Sequence, residues 1–375
     1  MWLNGRVPLL EKTSTRRRRR SGKKLAVLLF IAVLTGIGWL WWHQKHPAKP
    51  SKFKSAPATQ AAPLVTQSPP QTPAKPKLMP IVIAPPPADF PRPVRDVLEA
   101  QVALARRAIS PGSIDAAIGS QTRAAIAAFQ RSQKLSESGS LDTNTRPLLT
   151  LDAPVPATYT VTTNDLARLQ PLGKTWLAKS QQTALDYETI LELVAEKAHS
   201  HPLLIQKLNP SVNWTNVAAG TSLKIPDVNY PEPADHAAFV IIHLSDKFLE
   251  AFDAETNLLA HFPCSIAARV EKRPVGELHV IVVAPHPNYT VDPALFPESA
   301  ELQALGHKLI LPPGPNNPVG VAWIGLDKTG YGMHGTPAPE QVGRTESHGC
   351  FRLTNWDAEY LIKLVWIGMP VEVVP

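Results

Sequence analysis

Ser347-His348-Gly349-Cys350-Phe351-Arg352, with His334-Gly335-Thr336 a short way upstream, decides how the rest of the chain is read. Cys350 is one of only two cysteines. A cysteine is a strong nucleophile only as thiolate, and a nearby imidazole is the usual means of making one near neutral pH. Gly349, directly before it, permits a tight turn and a close approach of substrate to backbone. The stretch therefore reads as a cysteine acyl-transfer site.

The surrounding sequence is built of short strands. Ala238 to Leu244 is a nearly continuous apolar run, and Lys247 to Asp253 is a second. Asp253-Ala254-Glu255-Thr256-Asn257 supplies a turn between them and Leu258 to Cys264. Leu278 to Ala284, Val319 to Leu326 and Val371 to Val374 add further strands, and Asp357 to Leu364 reads as one helix after the cysteine. Short strands separated by Gly/Pro turns predict a mainly-β sandwich or barrel rather than a βαβ fold.

These residues also carry a family resemblance. His334-Gly335-Thr336, Gly343 and Ser347-His348-Gly349-Cys350-Phe351-Arg352-Leu353 resemble the catalytic motif of the L,D-transpeptidases of YkuD type. Gly314-Pro315-Asn316-Asn317-Pro318-Val319-Gly320 and Pro287-Asn288-Tyr289 are similar to other segments of that family, so the resemblance spans roughly 236–375. It implies an extracytoplasmic enzyme that cross-links peptidoglycan stem peptides through a thioester and releases D-alanine, with neither metal nor cofactor. It also implies acylation by β-lactams of the carbapenem type.

Carried onto this sequence, the resemblance makes Cys350 the nucleophile and His334 the base, oriented by the carbonyl of Gly335. His348 lines the site, and backbone N–H groups around Gly349 and Cys350 are candidates for the oxyanion hole. Arg352, whose planar guanidinium suits a carboxylate, is expected on the substrate side with Ser347, Thr336 and Tyr331. Transpeptidation and L,D-carboxypeptidation differ only in whether an amine or water takes the acyl group, and the sequence does not separate them. An inactive wall-binding anchor is the alternative from another class.

A zinc site built from His334, His348, Cys350 and Cys264 would use ordinary ligand types. However, His348 and Cys350 stand only two apart, and no Cys-x-x-Cys or His-Glu-x-x-His element is present. Cys264, in a strand, reads as a small buried hydrophobe. A bridge between the two cysteines would consume the nucleophile. Trp323 and Trp356 read as core packing.

Two modules precede the catalytic body. Residues 92–150 are expected to form a small bundle of three helices. One covers Val94 to Ala108, one opens at Ser120 as N-cap, and a short one begins near Asp142. Asp115, Ile118-Gly119, Thr122-Arg123-Ala124-Ala125-Ile126, Phe129-Gln130 and Gly139 resemble the small peptidoglycan-binding domain, although Ala116 stands where that family has glycine. In 158–230, a helix over Glu188 to Ala198, a second from His201-Pro202 to Leu208, Asn209-Pro210, Gly220 and a strand Ser222 to Ile225 resemble the LysM repeat, a small α+β module that binds N-acetylglucosamine-containing glycans. The opening half of the LysM pattern is not recognisable.

Charge is uneven. The chain has 375 residues, 44% of them hydrophobic, and a formal charge of +7. Residues 1–54 hold 13 of the 38 Lys and Arg but only one of the 31 acids, so the remainder is net acidic. A nucleic-acid partner would require a basic stripe on the folded body, and none is visible. Residues 1–24 contain the run Arg16 to Arg20, followed by Lys23 and Lys24. Residues 25–42, Leu25 to Trp42, carry no charge and end in Trp39, Trp41 and Trp42. That length lies at the lower edge for a spanning helix, and positive charge on its N-terminal side predicts a single-pass signal anchor. The body is expected in the periplasm, held off the inner membrane by a Pro-rich linker, 43–91.

Overall fold

The computed structural model describes residues 89–375, Glu346 and His348 excepted. The basic segment, the apolar span and nearly all of the Pro-rich linker thus lie outside the described residues. Among those described, no helix is long and apolar enough to cross a membrane.

The first module opens with strand β1 (Arg92–Pro93) and helix α1 (Val97–Ala105). Asp96 caps α1 by accepting the Glu99 N–H at 2.9 Å, satisfying one of the donors that a helix start leaves unpaired. Helix α2 (Ser120–Ser132) follows, and strand β2 (Thr150–Leu151) pairs antiparallel with β1. Gly119 rather than Ser120 occupies the N-cap of α2 and gives no side-chain cap. The third expected helix is a single turn. Asp142 accepts the Thr145 N–H at 2.8 Å, but Pro147 lacks a donor and restrains the residue before it, so the turn cannot propagate. Val102, Leu104, Ile126 and Phe129 fill the core.

In the middle module, strand β3 (Pro156–Thr160) pairs antiparallel with strand β4 (Ser222–Pro226). Between them lie helices α3 (Thr163–Ala167), α4 (Trp176–Ser180), α5 (Ile190–Lys197) and α6 (Pro202–Leu208). Leu193, Val194, Ile205 and Leu223 form its core. A reciprocal capping box between Thr162 and Asp165 starts α3, the mutual satisfaction of two helix-start donors.

The catalytic body consists of β5 (Phe239–His243), β6 (Phe248–Phe252), β7 (Leu258–Pro263), β8 (Gly276–Pro285), β9 (Tyr289–Val291), α7 (Ala300–Leu305), β10 (Leu309–Leu311), β11 (Ala322–Leu326), β12 (Gly332–His334), β13 (Phe351–Arg352), α8 (Asn355–Leu364) and β14 (Pro370–Val374). The expected two-sheet sandwich is replaced by one continuous eight-stranded sheet of order β13-β12-β11-β8-β14-β5-β6-β7. The ten-residue β8 explains this. Its first half, Gly276 to His279, pairs with β14, and its second half, Val280 to Pro285, pairs with β11. One strand therefore serves both wings, and the sheet curls about it. Val319 to Val321 do not join β11, because Gly320 turns the chain with φ +61°.

Helix α8, capped by Thr354 on the Asp357 N–H, covers the curl. Its Ala358, Leu361 and Leu364 pack into the same core as Phe262, Val280, Ile324 and Phe351. Each of the larger of these side chains contributes about 1.5–3 kcal/mol by burial.

Both modules are joined to this body. The Ser110 N–H donates to the His261 carbonyl at 2.8 Å, and the His261 N–H donates to the Ala108 carbonyl at 3.0 Å, adding chain to the free edge of β7. Arg131 of α2 pairs with Glu250, a buried carboxylate that also contacts His261 Nδ1 at 2.9 Å. On the middle module, Leu185 packs against Val291, Leu302, Leu309 and Leu311 of the β9–β10 excursion.

Candidate active site

β12 delivers His334, and β13 begins at the residue after Cys350. The two strands run parallel with His334 opposite Arg352 and Met333 opposite Phe351. Residues distant along the chain are thereby fixed across one strand spacing. His334 is buried, and its ring stacks on Trp323 of β11 with centroids 5.6 Å apart and planes at 25°. Its Nδ1 lies 2.7 Å from the Gly335 carbonyl. A carbonyl can only accept, so Nδ1 carries the hydrogen and Nε2 is the basic nitrogen. Burial pulls the imidazole down to about 4, with Arg352 acting in the same sense and the Gly335 carbonyl opposing.

The Cys350 thiol is half-buried and donates to the Gly330 carbonyl at 3.5 Å. Burial pushes it up to about 11, although the Gly332 N–H and Arg352 favour the thiolate. Burial thus holds both the thiol and the imidazole toward their neutral forms. A neutral thiol and a neutral imidazole suit attack with general-base assistance, the proton moving as the sulfur attacks. Cys264, in contrast, is fully buried, pushed up to about 12, and free, as Cys350 is.

The nucleophile turn is closed by Ser347. Its hydroxyl donates to the Cys350 carbonyl at 2.5 Å and accepts the Gly349 N–H at 3.2 Å. Ser347 is buried, and its hydroxyl is committed to the turn. Gly349 is not in the left-handed region, and a Cβ there would meet nothing nearer than the Tyr331 ring at 3.9 Å. The turn thus does not demand a glycine; its missing side chain leaves open space beside the sulfur. Thr336 is buried and accepts the Ala338 N–H at 3.4 Å. Arg352 is held by backbone bonds to Ser265 in both directions, at 2.8 and 3.0 Å, and bears electrostatically on both Cys350 and His334. His348 lies outside the described residues.

Three further residues shape the site. Trp323, expected in the core, forms the wall behind His334. Tyr289 is near enough that Cys350, after burial, helps hold its phenol above the ordinary value. Asn355 is the third. Its Oδ1 occupies the space where a Cβ on Gly320 or Gly335 would sit, 2.0 and 2.3 Å away respectively. The helical spacing of α8 could have suggested an inward-facing Asn355, but not its partner.

The first module reaches this loop too. Gln121 Nε2 at the start of α2 donates to the Val342 carbonyl at 2.5 Å. Gly343 beside it has φ +72° and no room for a Cβ, which would stand 2.7 Å from that nitrogen. Among the described residues no group of three His, Cys, Asp or Glu side chains is placed to hold a metal. A cavity of about 730 Å3 lies elsewhere, between the 231–238 connector, the Asp253–Glu255 turn and Trp366.

A family model described as the L,D-transpeptidase catalytic domain matches residues 237–373, and one described as "Putative peptidoglycan binding domain" matches 94–149. The chain is 26% identical over 188 residues to "Putative L,D-transpeptidase YkuD" of Bacillus licheniformis, covering 50% of this chain and 94% of that protein. It is 28% identical over 171 residues to "Probable L,D-transpeptidase YbiS" of Escherichia coli K12, covering 45% of this chain and 54% of that protein. The chain thus spans about half the length of the second. Among solved structures, L,D-transpeptidase 3 from Mycobacterium tuberculosis aligns with 18% identity over 43% of this chain and 77% of its own, at a TM-score of 0.29.

The chain carries an L,D-transpeptidase catalytic domain. It is an enzyme of that class, with a peptidoglycan-binding-type domain ahead of the catalytic one.

Proposed function

We propose that this chain cross-links peptidoglycan stem peptides with Cys350 as nucleophile and His334 as its base. The observation that carries this is the Nδ1–H bond from His334 to Gly335, which leaves Nε2 basic beside the strand that follows Cys350.

The steps balance as follows. Cys350 Sγ attacks the carbonyl joining a diamino acid to a terminal D-alanine while its proton passes to His334 Nε2. The oxyanion is met by backbone N–H groups. The Gly349 N–H is engaged by Ser347, so the Cys350 N–H is the leading donor. The carbon–nitrogen bond breaks, and the D-alanine amine takes the proton from the imidazolium. The amine of a second stem then attacks the thioester, giving up a proton to His334, and the thiol is regenerated as the new amide forms. Arg352, on the strand after the nucleophile, suits a carboxylate of the donor stem, with Tyr331 and Thr336 at the margins of the site. His348, whose role rests on the resemblance alone, completes it. A carbapenem would enter the same first step, its strained lactam carbonyl acylating Cys350 with ring opening.

The middle module supports a LysM-like reading through the succession of α5, α6 and β4 and the antiparallel closure of β3 on β4. The uncharged span Leu25 to Trp42 behind Arg16 to Arg20 supports anchoring in the inner membrane with the body in the periplasm.

The test is to incubate the full chain and its Cys350→Ala form with disaccharide tetrapeptide and read products by mass. Dimer lacking one D-alanine, formed only with Cys350 present, is expected. Tripeptide without dimer would make the enzyme an L,D-carboxypeptidase. No product from either form, with sacculi still bound, would leave a wall anchor.

A further inference from the structure

Helix α5 of the middle module presents two carboxylates, one turn apart, to the catalytic body. Glu192 accepts Asn316 Nδ2 at 2.6 Å. Glu196 accepts Asn355 Nδ2 on both oxygens at 3.1 Å, and the Tyr187 hydroxyl donates to it at 3.1 Å. Like charges at this spacing disfavour a helix, and burial makes the arrangement costlier, holding Glu192 above the ordinary carboxylate range and Glu196 at about 7. Each carboxylate has a partner in its own module, the Glu188 N–H for Glu192 and Tyr187 for Glu196, and an asparagine amide in the catalytic body. The same seam is sealed by backbone: Gly314 passes so close to Leu185 that a Cβ would stand 2.2 Å from its carbonyl oxygen, and the Leu185 N–H donates to the Pro313 carbonyl at 2.9 Å.

Asn355 links this seam to the chemistry. Its Nδ2 also donates to the Pro315 carbonyl at 3.2 Å. Its Oδ1 accepts the Val321 N–H at 3.3 Å and fills the crossing of Gly320 and Gly335. With both nitrogen-bound hydrogens engaged, the amide cannot turn over without losing partners. Gly335 in turn supplies the carbonyl that fixes the His334 tautomer and ring plane.

We propose that Glu196 is a positioning residue for the Cys350 chemistry: it holds Asn355, Asn355 holds the Gly320–Gly335 crossing, and that crossing aims the carbonyl that orients His334. The middle module is then part of the active-site frame, whatever glycan it binds. A displacement of about 1 Å at a catalytic group costs up to roughly 100-fold in rate, so a distant carboxylate has leverage through rigid contacts. The inference rests on the reading of His334 as base to Cys350.

The test uses the full chain and follows acylation by a carbapenem through intact mass, separating the limiting rate from the half-saturating concentration, with thermal melting alongside. Glu196→Ala is expected to lower the limiting rate roughly 10- to 100-fold, with the half-saturating concentration within about twofold. Asn355→Asp, which sets carboxylate against carboxylate, should do the same. Combining Glu196→Gln with Asn355→Asp exchanges amide and carboxylate, restores the 196–355 hydrogen bond though not the donation to the Pro315 carbonyl, and should recover part of the rate. A merely structural contact would change melting without that reciprocal recovery of rate. A wild-type rate in Glu196→Ala overturns the proposal. If Glu196→Ala folds poorly, the exchange decides: a folded double variant as slow as Asn355→Asp also overturns it. Failure of the unaltered chain to acylate would sink the nucleophile reading itself, and is distinguishable because all variants would then be equally inert.

Discussion

His334 and Arg352 are register partners on the parallel strands β12 and β13, and Cys350 stands two residues before Arg352. This single pairing brings an imidazole, a thiol and a guanidinium into one neighbourhood, and it sets the charge balance there. Arg352 opposes protonation of His334 and favours ionisation of Cys350, while burial opposes both charged forms more strongly.

The first prediction separates thiolate from general-base chemistry. With the thiol near 11 and the imidazole near 4, simple alkylation of Cys350 by iodoacetamide, which needs preformed thiolate, should rise about tenfold per pH unit through neutrality toward about 11. Acylation by a carbapenem, assisted by neutral His334, should instead be flat across neutrality and fall only as pH drops toward about 4. Parallel rate profiles for the two reagents, with alkylation already level at pH 7, would mean a resting ion pair.

Glycines around the site should differ sharply. Gly335→Ala drives a methyl into Asn355 Oδ1, 2.3 Å away, so it must push that amide off Val321 and Glu196. A loss of about 2–4 kcal/mol in denaturant unfolding is expected, together with slow acylation. Gly349→Ala, whose nearest neighbour would be 3.9 Å away, should unfold within about 1 kcal/mol of wild type yet still impair turnover of muropeptide by filling the open space beside the sulfur. Equal destabilisation by the two would contradict this placement.

What the sequence could show was local. The motif around Cys350 and His334 is contiguous, the strand runs carry their own periodicity, and the Asp253 to Asn257 turn closes as expected, with the Asn257 N–H on Asp253 Oδ1 at 2.7 Å. Opening the middle module is strand β3, which begins with Pro156, alternates exposed and half-buried residues and pairs with residues far downstream. A local marker stands just after it, the Thr162–Asp165 capping box that starts α3. The single curled sheet was hidden because one strand pairing two partners along its two halves looks, in sequence, like any strand. Asn355, Glu196 and Trp323 were illegible for a simpler reason. Their importance lies in partners that only the tertiary fold supplies.

Ala116 offers a stabilising substitution. It follows Asp115 with φ +62°, a left-handed conformation that costs a residue bearing Cβ roughly 1–2 kcal/mol, and the family that this module resembles has glycine there. Its N–H is held by Gln101 Oε1 at 2.8 Å, in a buried amide network that also reaches Asp115 and Thr122, so the conformation is over-determined by its surroundings. Ala116→Gly should raise the unfolding free energy by about 0.5–1 kcal/mol, and with it the denaturant midpoint, after the added freedom of the unfolded chain is subtracted. A lower midpoint would show that the strain is not felt.

The last prediction concerns acid stability. His199, in left-handed backbone at φ +48°, stacks on Trp356 with centroids 5.1 Å apart and planes at 7°, and meets Tyr230 edge-on. Its Nδ1 is buried without a partner among the described residues. Burial pulls its folded-state value down to about 3. Above the ordinary value near 6.5 the ring is neutral whether the chain is folded or not, so it has no effect on stability there. Below 6.5 the unfolded chain takes up a proton that the folded chain refuses, and stability falls by about 1.4 kcal/mol per pH unit until pH approaches 3. His334, pulled down to about 4, adds to the same slope over most of that range. His199→Phe keeps a ring on Trp356 and removes one of these protons. It should leave unfolding at pH 8 little changed and make the loss of stability between about pH 6 and 4 shallower by close to one proton. The measurement is urea unfolding across that range, and an unchanged slope would mean that His199 is protonated within the fold, against the apolar stack in which it sits.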